Sequence, residues 1–371
     1  LTEAGLTGKI MATVKDVARS AQVSVSTVSL VLNNKPNVSA ETRGKVLACM
    51  RDLDFRPNIM ARGIRTQTSG TIGIMVPTIT NPVYPNIVNA IEAAARQENY
   101  SVILCSYSAD RAADGVTDSL ARLFDRMVDG IIICGIPAMP DTHGEPAAAS
   151  LMAAYIARRI PFVFLSDTEQ HSQFMRGYAI DQQQHGALFQ VLSIDRTKAS
   201  QRAVEHLIRT GHRRIALVGE ESSDSYPHTI PFMRKLEGYK RALHEHGLPF
   251  DPTLVVADTA DFAGGKRCFE RLVNQTHPPA AIFCTGDVMA LGALRAASEL
   301  KFTIPGQLAI IGFDNIPQAA FSNPALSTVA LPFQDMAQEA FRRLSRMMQG
   351  ATVLPAHMQF DTELVLRESC L

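Results

Sequence analysis

From residue 71 onward the chain alternates short apolar runs with stretches of helical periodicity, and that alternation fixes what most of it can fold into. The runs are TIGIMVP (71–77), YSVILCSY (100–107), DGIIICG (129–135), PFVFLSD (161–167), RRIALVGE (213–220), PAAIFCTGD (279–287) and LAIIGFD (308–314). None has the in–out alternation of a half-exposed strand. Each therefore reads as a strand buried on both faces, which is the condition of a parallel sheet covered by helices. Helical patterns at 87–97, 119–127, 200–210 and 288–300 fall between them, and a late strand at 327–331 is expected to cross back. These are too many units for one sheet. The reading is an α/β body of two doubly wound parallel-sheet subdomains, roughly 71–170 plus 315–330 and 190–314 plus 331–371. A ligand would sit beyond the strand C-termini, in the cleft between them.

A length of 371 residues predicts two or three folding units. No run approaches the ~20 apolar residues of a membrane span, and no basic stretch followed by an apolar core opens the chain. Residues 1–10 carry no pattern, precede Met11 and stay outside the fold argument. The six Cys (49, 105, 134, 268, 284 and 370) form no C-x-x-C pair, and three lie in strand runs. Buried reduced thiols of a cytoplasmic protein fit that spacing better than disulfides or zinc.

Ahead of the body, TVKDVARSAQVSVSTVSLVLN (13–33) contains two short helical patterns with a break at Ala21-Gln22-Val23. Packing the two would bury Val17, Ala18, Val23 and Val28 and turn Val25, Ser26, Thr27, Ser29, Leu30 and Asn33 outward. A face of small hydroxyl- and methyl-bearing side chains suits a major-groove reader, although an ordinary helical hairpin has the same pattern. Ser39 is the expected N-cap of a third helix carrying Val46, Leu47, Met50 and Leu53 at helical spacing. Residues 11–65 hold nine Lys or Arg against four Asp or Glu, in a chain whose net charge is zero. A basic headpiece on an acidic body fits phosphate binding; a solvated basic face is the alternative. The expected divisions are a headpiece at 11–57, a hinge helix and linker at 58–70, and a body at 71–371.

The headpiece, the F-R-P-N…A-R-x-Ile-Arg linker and the body together resemble the lactose/galactose-repressor (LacI/GalR) family of bacterial transcriptional regulators, from Thr13 to near the C-terminus. The resemblance implies a body of periplasmic-binding-protein type and a second helix seated in the major groove. It places DNA contacts at Thr13, Val14, Ser24, Val25, Ser26, Thr27, Ser29 and Leu30, with Asn33 and Asn37 flanking. Arg62 and Ile64 fall in a hinge helix that pairs across two subunits, where Ile64 corresponds to an apolar wedge in the minor groove. Leu30 stands where members often carry Arg. It offers apolar contact, for instance to a thymine methyl, in place of a bidentate bond to guanine.

The strand ends place Pro77 to Tyr84, Asp167, Glu220 to Tyr226, Phe262, Gly286, Asp287, Asp314 and Asn315 at the cleft. The resemblance makes Asp314 an effector-binding acid, Phe262 a stacking aromatic, and Val83 and Tyr84 contacts from the first loop. Asp287 is either a further ligand or a cap of the next helix. Lys235, beside Arg234, replaces an effector-binding Arg and lacks its fork, and Gly286 stands where sugar-binding members often have Asn. The family's strand-end acid falls at Asp195 counting back from GHRRI (211–215) but at Asp181 counting forward from Asp167. About fourteen residues are therefore inserted, as a lid, a packing loop, an oligomer contact or a plain surface insertion.

The leading reading is a sequence-specific, effector-modulated repressor. Its partners are a near-palindromic double-stranded operator, a sugar-like or nucleobase-like effector, and further copies of itself in a homodimer or tetramer. No cofactor, metal or membrane enters it. A solute-binding protein would share the body but not the headpiece. An enzyme is disfavoured because no G-x-x-x-x-G-K-[ST], G-x-G-x-x-G or G-x-S-x-G element is present. The pair His244 and His246 has the wrong spacing to face one metal ion from a helix.

Overall fold

A computed structural model describes residues 12–32, 36–55, 68–107, 112–135, 146–220 and 229–371. The expectations for residues 1–10, for Asn33, for Arg62 and Ile64 with their hinge helix, and for 221–226 lie outside these residues. The chain divides between Ser69 and Gly70 into two units.

The first unit contains α1 (Val14–Ala21), α2 (Val25–Leu32) and α3 (Ala40–Asp52). Thr13 and Asp16 cap α1 reciprocally, each side chain meeting the other's backbone N–H. Gln22 takes a left-handed backbone and stops the helix. Ser39 caps α3, its hydroxyl accepting the Thr42 N–H at 3.2 Å. Val17, Ala18, Ala21, Val28, Val31, Val46 and Met50 make one buried cluster, with Val23 at its margin. So small a core leaves such a module marginally stable alone.

In the second unit the strands are β1 (Thr71–Val76), β2 (Ser101–Ser106), β3 (Gly130–Cys134), β4 (Phe162–Leu165), β5 (Phe189–Ile194), β6 (Ile215–Glu220), β7 (Val255–Asp258), β8 (Ala281–Cys284), β9 (Ala309–Asp314), β10 (Ser327–Ala330), β11 (His357–Phe360) and β12 (Glu363–Val365). The helices that matter below are α4 (Val83–Gln97), α5 (Ala112–Asp125), α6 (Pro146–Ala157), α7 (Thr168–Gly177), α8 (Gln182–His185), α9 (Arg196–Arg209), α10 (Ile230–Glu245), α11 (Phe262–Val273), α12 (Asp287–Glu299) and α13 (Phe333–Met348). One sheet runs β11-β5-β4-β3-β1-β2, all parallel. The other runs β12-β10-β9-β8-β6-β7, parallel except for β12. Central strands such as β3, β4 and β8 are buried throughout, as their unbroken apolar runs require.

The division of segments between lobes differs from the sequence reading. β10 pairs with β9 in the second sheet, so 315–330 belongs there and not to the first lobe. α13 and β11 return to the first lobe instead. Tyr100 meets Phe341 edge-on at 5.9 Å, Leu344 packs over Gly130, and β11 pairs with β5. The chain thus passes between lobes after β5, after β10 and after β11. β5, β7, β11 and β12 had no counterpart among the strands read from the sequence.

Asp195, not Asp181, is the strand-end acid. It follows β5 and caps α9 by accepting the Lys198 N–H at 2.9 Å, whereas Asp181 caps the short α8. The inserted segment is no plain surface loop. Its helix α7 turns Phe174 onto Phe164 at 5.0 Å between ring centroids, and Tyr178 bonds Thr117 at 3.0 Å. Cys134, Cys268, Cys284 and Cys370 are buried and Cys49 and Cys105 half-buried, all as free thiols.

Candidate functional site

In the headpiece, Ser24 opens α2. Its hydroxyl accepts the Thr27 N–H at 3.1 Å and bonds Ser26 Oγ at 2.6 Å and Thr27 Oγ1 at 2.8 Å. Three hydroxyls are therefore gathered at the helix N-terminus, the end from which recognition helices reach base edges. Val25 stands clear of the core, Ser29 and Leu30 are half-buried at its edge, and Asn37 and Thr13 are exposed. Val14 is half-buried against the core. Thr13 and Ser24 also carry a capping duty that the sequence reading did not give them.

In the body, the parallel strands deliver their C-terminal residues to one region. Lys235, on α10, is buried; its Nζ donates to the Thr285 carbonyl at 2.6 Å and lies 4.4 Å from the centre of the Phe313 ring. Burial pulls its pKa down, and the carboxylates of Asp314 and Glu220 oppose that pull. Asp314 ends β9 with φ 113°, a backbone conformation costly for a side-chain-bearing residue. Burial raises its pKa while Lys235 and Arg196 hold it down. Tyr84 is raised by burial and by the nearby Glu220 and Asp314. Glu220 closes β6 and accepts a hydrogen bond from Thr229, the N-cap of α10. Asp167, after β4, accepts from Arg196 Nη1 at 2.7 Å through Oδ1, and its buried Oδ2 has no partner among the described residues.

Tyr84, Asp167, Arg196, Glu220, Lys235 and Asp314 are thus close enough to act on one another's charge, and they come from both lobes. Their carboxylates accept and their cations donate, so the cluster can bind a small polar molecule rich in hydroxyl or amino groups. Among the described residues no group of His, Cys, Asp and Glu could hold a metal ion.

Three expectations for this site change. Asp287 is fully buried, and both its oxygens are used inside the fold: Oδ2 accepts the Ile316 N–H at 2.9 Å and Oδ1 the Thr328 hydroxyl at 2.6 Å. It opens α12 after Gly286 and ties β8, β9 and β10 together, which is a framework role. Arg234 pairs with Glu169 at 2.7 Å and Glu237 at 3.3 Å and is not among the groups that perturb Lys235. Val83 shares the buried core of Ile87 and Ile91, and only its N–H reaches the first loop, donating to Asn81 Oδ1 at 3.1 Å. Phe262 remains half exposed at the start of α11. Arg196 was missed, although its place one residue past the strand-end acid Asp195 marks it as a cleft position.

A helix-turn-helix module ahead of a two-lobed α/β body with a charged cluster drawn from both lobes defines a class: a DNA reader carried on a small-molecule-binding fold. The description "Bacterial regulatory proteins, lacI family" matches residues 13–58 and "Periplasmic binding protein-like domain" matches 204–370. Catabolite control protein A of Priestia megaterium is 32% identical over 357 residues, 96% of this chain and 98% of that protein. Among solved structures, a Lac repressor dimer bound to operator and the anti-inducer ONPF superposes with a TM-score of 0.78 at 25% identity, covering 97% of this chain and 99% of that one. The CelR–cellobiose complex superposes with a TM-score of 0.64 at 25% identity, over 96% and 99%. The chain belongs to the lacI family of bacterial regulatory proteins. It is a transcriptional regulator with a DNA-binding domain and an effector-binding body, and its relatives are regulators, not enzymes. Among the described residues no helix is long and apolar enough to cross a membrane.

Proposed function

We propose that this protein acts in the cytoplasm as a homodimer on a near-palindromic operator, and that a sugar-like or nucleobase-like effector bound between its lobes changes operator affinity. The cleft cluster carries the effector reading. Tyr84 and Asp167 come from the first lobe, and Arg196, Glu220, Lys235 and Asp314 from the second. A ligand touching both sets binds the two lobe arrangements unequally, and that difference is what shifts a two-state equilibrium. Asp167 Oδ2, a buried acceptor without a partner among the described residues, suits a ligand donor. The anti-inducer and cellobiose named with the structural relatives are small hydroxyl-bearing ligands in the same fold. The operator reading rests on the hydroxyl-rich N-terminus of α2, with Thr13, Val14, Ser24, Val25, Ser26, Thr27, Ser29, Leu30 and Asn37 around it. One headpiece of three short helices buries too little surface for tight specific binding, so two copies reading a symmetric site are required.

Selection of bound DNA from a random pool, with and without ribose, cellobiose and nucleosides, tests this reading. A centrally symmetric site whose retention changes with one of these molecules is the expected outcome. Enrichment of no sequence at any salt concentration refutes it.

A further inference from the structure

The inserted segment after β4 does more than cover the first sheet. Phe174 and Tyr178 bury α7 against Phe164 and Thr117 of the first lobe. The N-terminal turn of the same helix is aimed at the second lobe. There Glu169 Oε2 meets Arg234 Nη2 of α10 at 2.7 Å, and Asp167, the residue that caps α7, meets Arg196 of α9 at 2.7 Å. α9 and α10 belong to the second lobe: Tyr239 donates to the Ile215 carbonyl of β6 at 2.8 Å, and Gly238 lies against the Thr197 carbonyl. One short helix therefore bonds to both lobes, by aromatic burial on one side and by two ion pairs on the other.

We propose that α7 is a charge-operated strap that holds the two lobes together without ligand, with Glu169 and Arg234 as its releasable contact. This rests on the proposed coupling between lobe arrangement and operator affinity, and adds a regulatory element to it. Burial of two aromatic side chains outweighs a half-exposed ion pair. On opening, the ion pairs break while α7 stays with the first lobe. The Arg196–Asp167 pair is nearly buried and lies within the effector cluster. The Arg234–Glu169 pair has side chains 43% and 48% exposed, so it can exchange for water and salt. Glu237, which also bonds Arg241 at 2.8 Å, holds Arg234 in place from its own helix. A strap that leans on an exposed pair biases the equilibrium without locking it, and leaves it open to a ligand.

The test uses the full chain with Glu169→Arg, Arg234→Glu and the double exchange. Operator affinity and hydrogen–deuterium exchange of the cleft-lining backbone at 77–82 and 286–287 are measured without effector. Each single change is expected to shift operator affinity in the same direction by about 2- to 5-fold and to speed cleft exchange. The double exchange recovers part of both changes, short of the support that Glu237 gives Arg234, and 0.5 M salt brings the cleft exchange rates of all four proteins together. Singles that match the original protein, or a double that behaves as the sum of two losses, overturn the strap. Loss of sequence-specific binding by the unaltered chain would instead refute the function on which the strap depends.

Discussion

Asp287 offers the sharpest test of how the cleft is built, because a ligand role and a framework role predict opposite results for one atom exchange. Its carboxylate is fully buried beneath the site, accepting from Ile316 N–H and the Thr328 hydroxyl. Burial, and then the neighbouring Asp314 carboxylate, raise its pKa. Asp287→Ala strands two buried donors, at about 1–3 kcal/mol each, so the loss is about 2–6 kcal/mol. Asp287→Asn keeps an oxygen for Ile316 and turns an amide N–H toward Thr328 Oγ1, which can accept. It also removes an ionisation that the fold opposes, by about 1.4 kcal/mol for each pKa unit by which the group is raised. The folded-state pKa lies above the unfolded one, so this carboxyl contributes fully below pH ~3.9 and its contribution is lost as pH rises toward the raised value. The Asn variant escapes that loss, and its advantage over the unaltered protein should widen from pH 5 to pH 8. Urea denaturation of the three proteins at both pH values reads the effect. An Asn variant as unstable as the Ala variant, or a stability gap independent of pH, would refute the reasoning. Loss of effector response in an undamaged Asn variant would return Asp287 to the ligand.

Leu30→Arg should move the selected operator toward a required guanine in each half-site, as a bidentate donor replaces an apolar contact; an unchanged selected sequence would exclude residue 30 from base reading. Phe321 is 88% exposed in the loop after β9, which makes it a candidate apolar anchor for the homodimer proposed above; on that proposal Phe321→Asp should turn the dimer into a monomer in sedimentation runs, whereas an unchanged dimer places the interface elsewhere. A Cβ on Gly238 would sit 2.2 Å from the Thr197 carbonyl oxygen. Gly238→Ala should therefore force α9 from α10 and cost about 1–3 kcal/mol, and a thermal midpoint equal to the original would show that the two helices can part freely.

The buried parallel strands were legible because a strand covered on both faces needs apolar residues at every position, as in GIIIC and AIFC. The strands that were missed break that rule for physical reasons. β5 carries Gln190, buried only because Arg343 at 2.7 Å and the Val353 carbonyl at 3.2 Å answer it. β11, HMQF, is an exposed edge, and edges favour polar side chains. Those two strands and α13 decide which lobe the late segments join, so the partition went wrong with them. In the cleft, acids at strand ends could be read from the order of residues. The fate of Asp287 could not, since it depends on Ile316 and Thr328 arriving from two later elements. Arg196 and Glu169 likewise acquire their partners only through tertiary packing.

The threefold passage of the chain between lobes has a consequence for biosynthesis. As the chain is made, Gln190 of β5 must wait for the Val353 carbonyl, 163 residues later, or about 8–33 s at ordinary translation rates. Through that interval the outer edge of β5 is bare, with α13 and β11 still on the ribosome. Neither lobe can close as an independent unit while the other is incomplete, and an uncovered apolar edge is an aggregation hazard. The same connections that join the lobes leave the β5 edge uncovered in a nascent chain until almost its last residue.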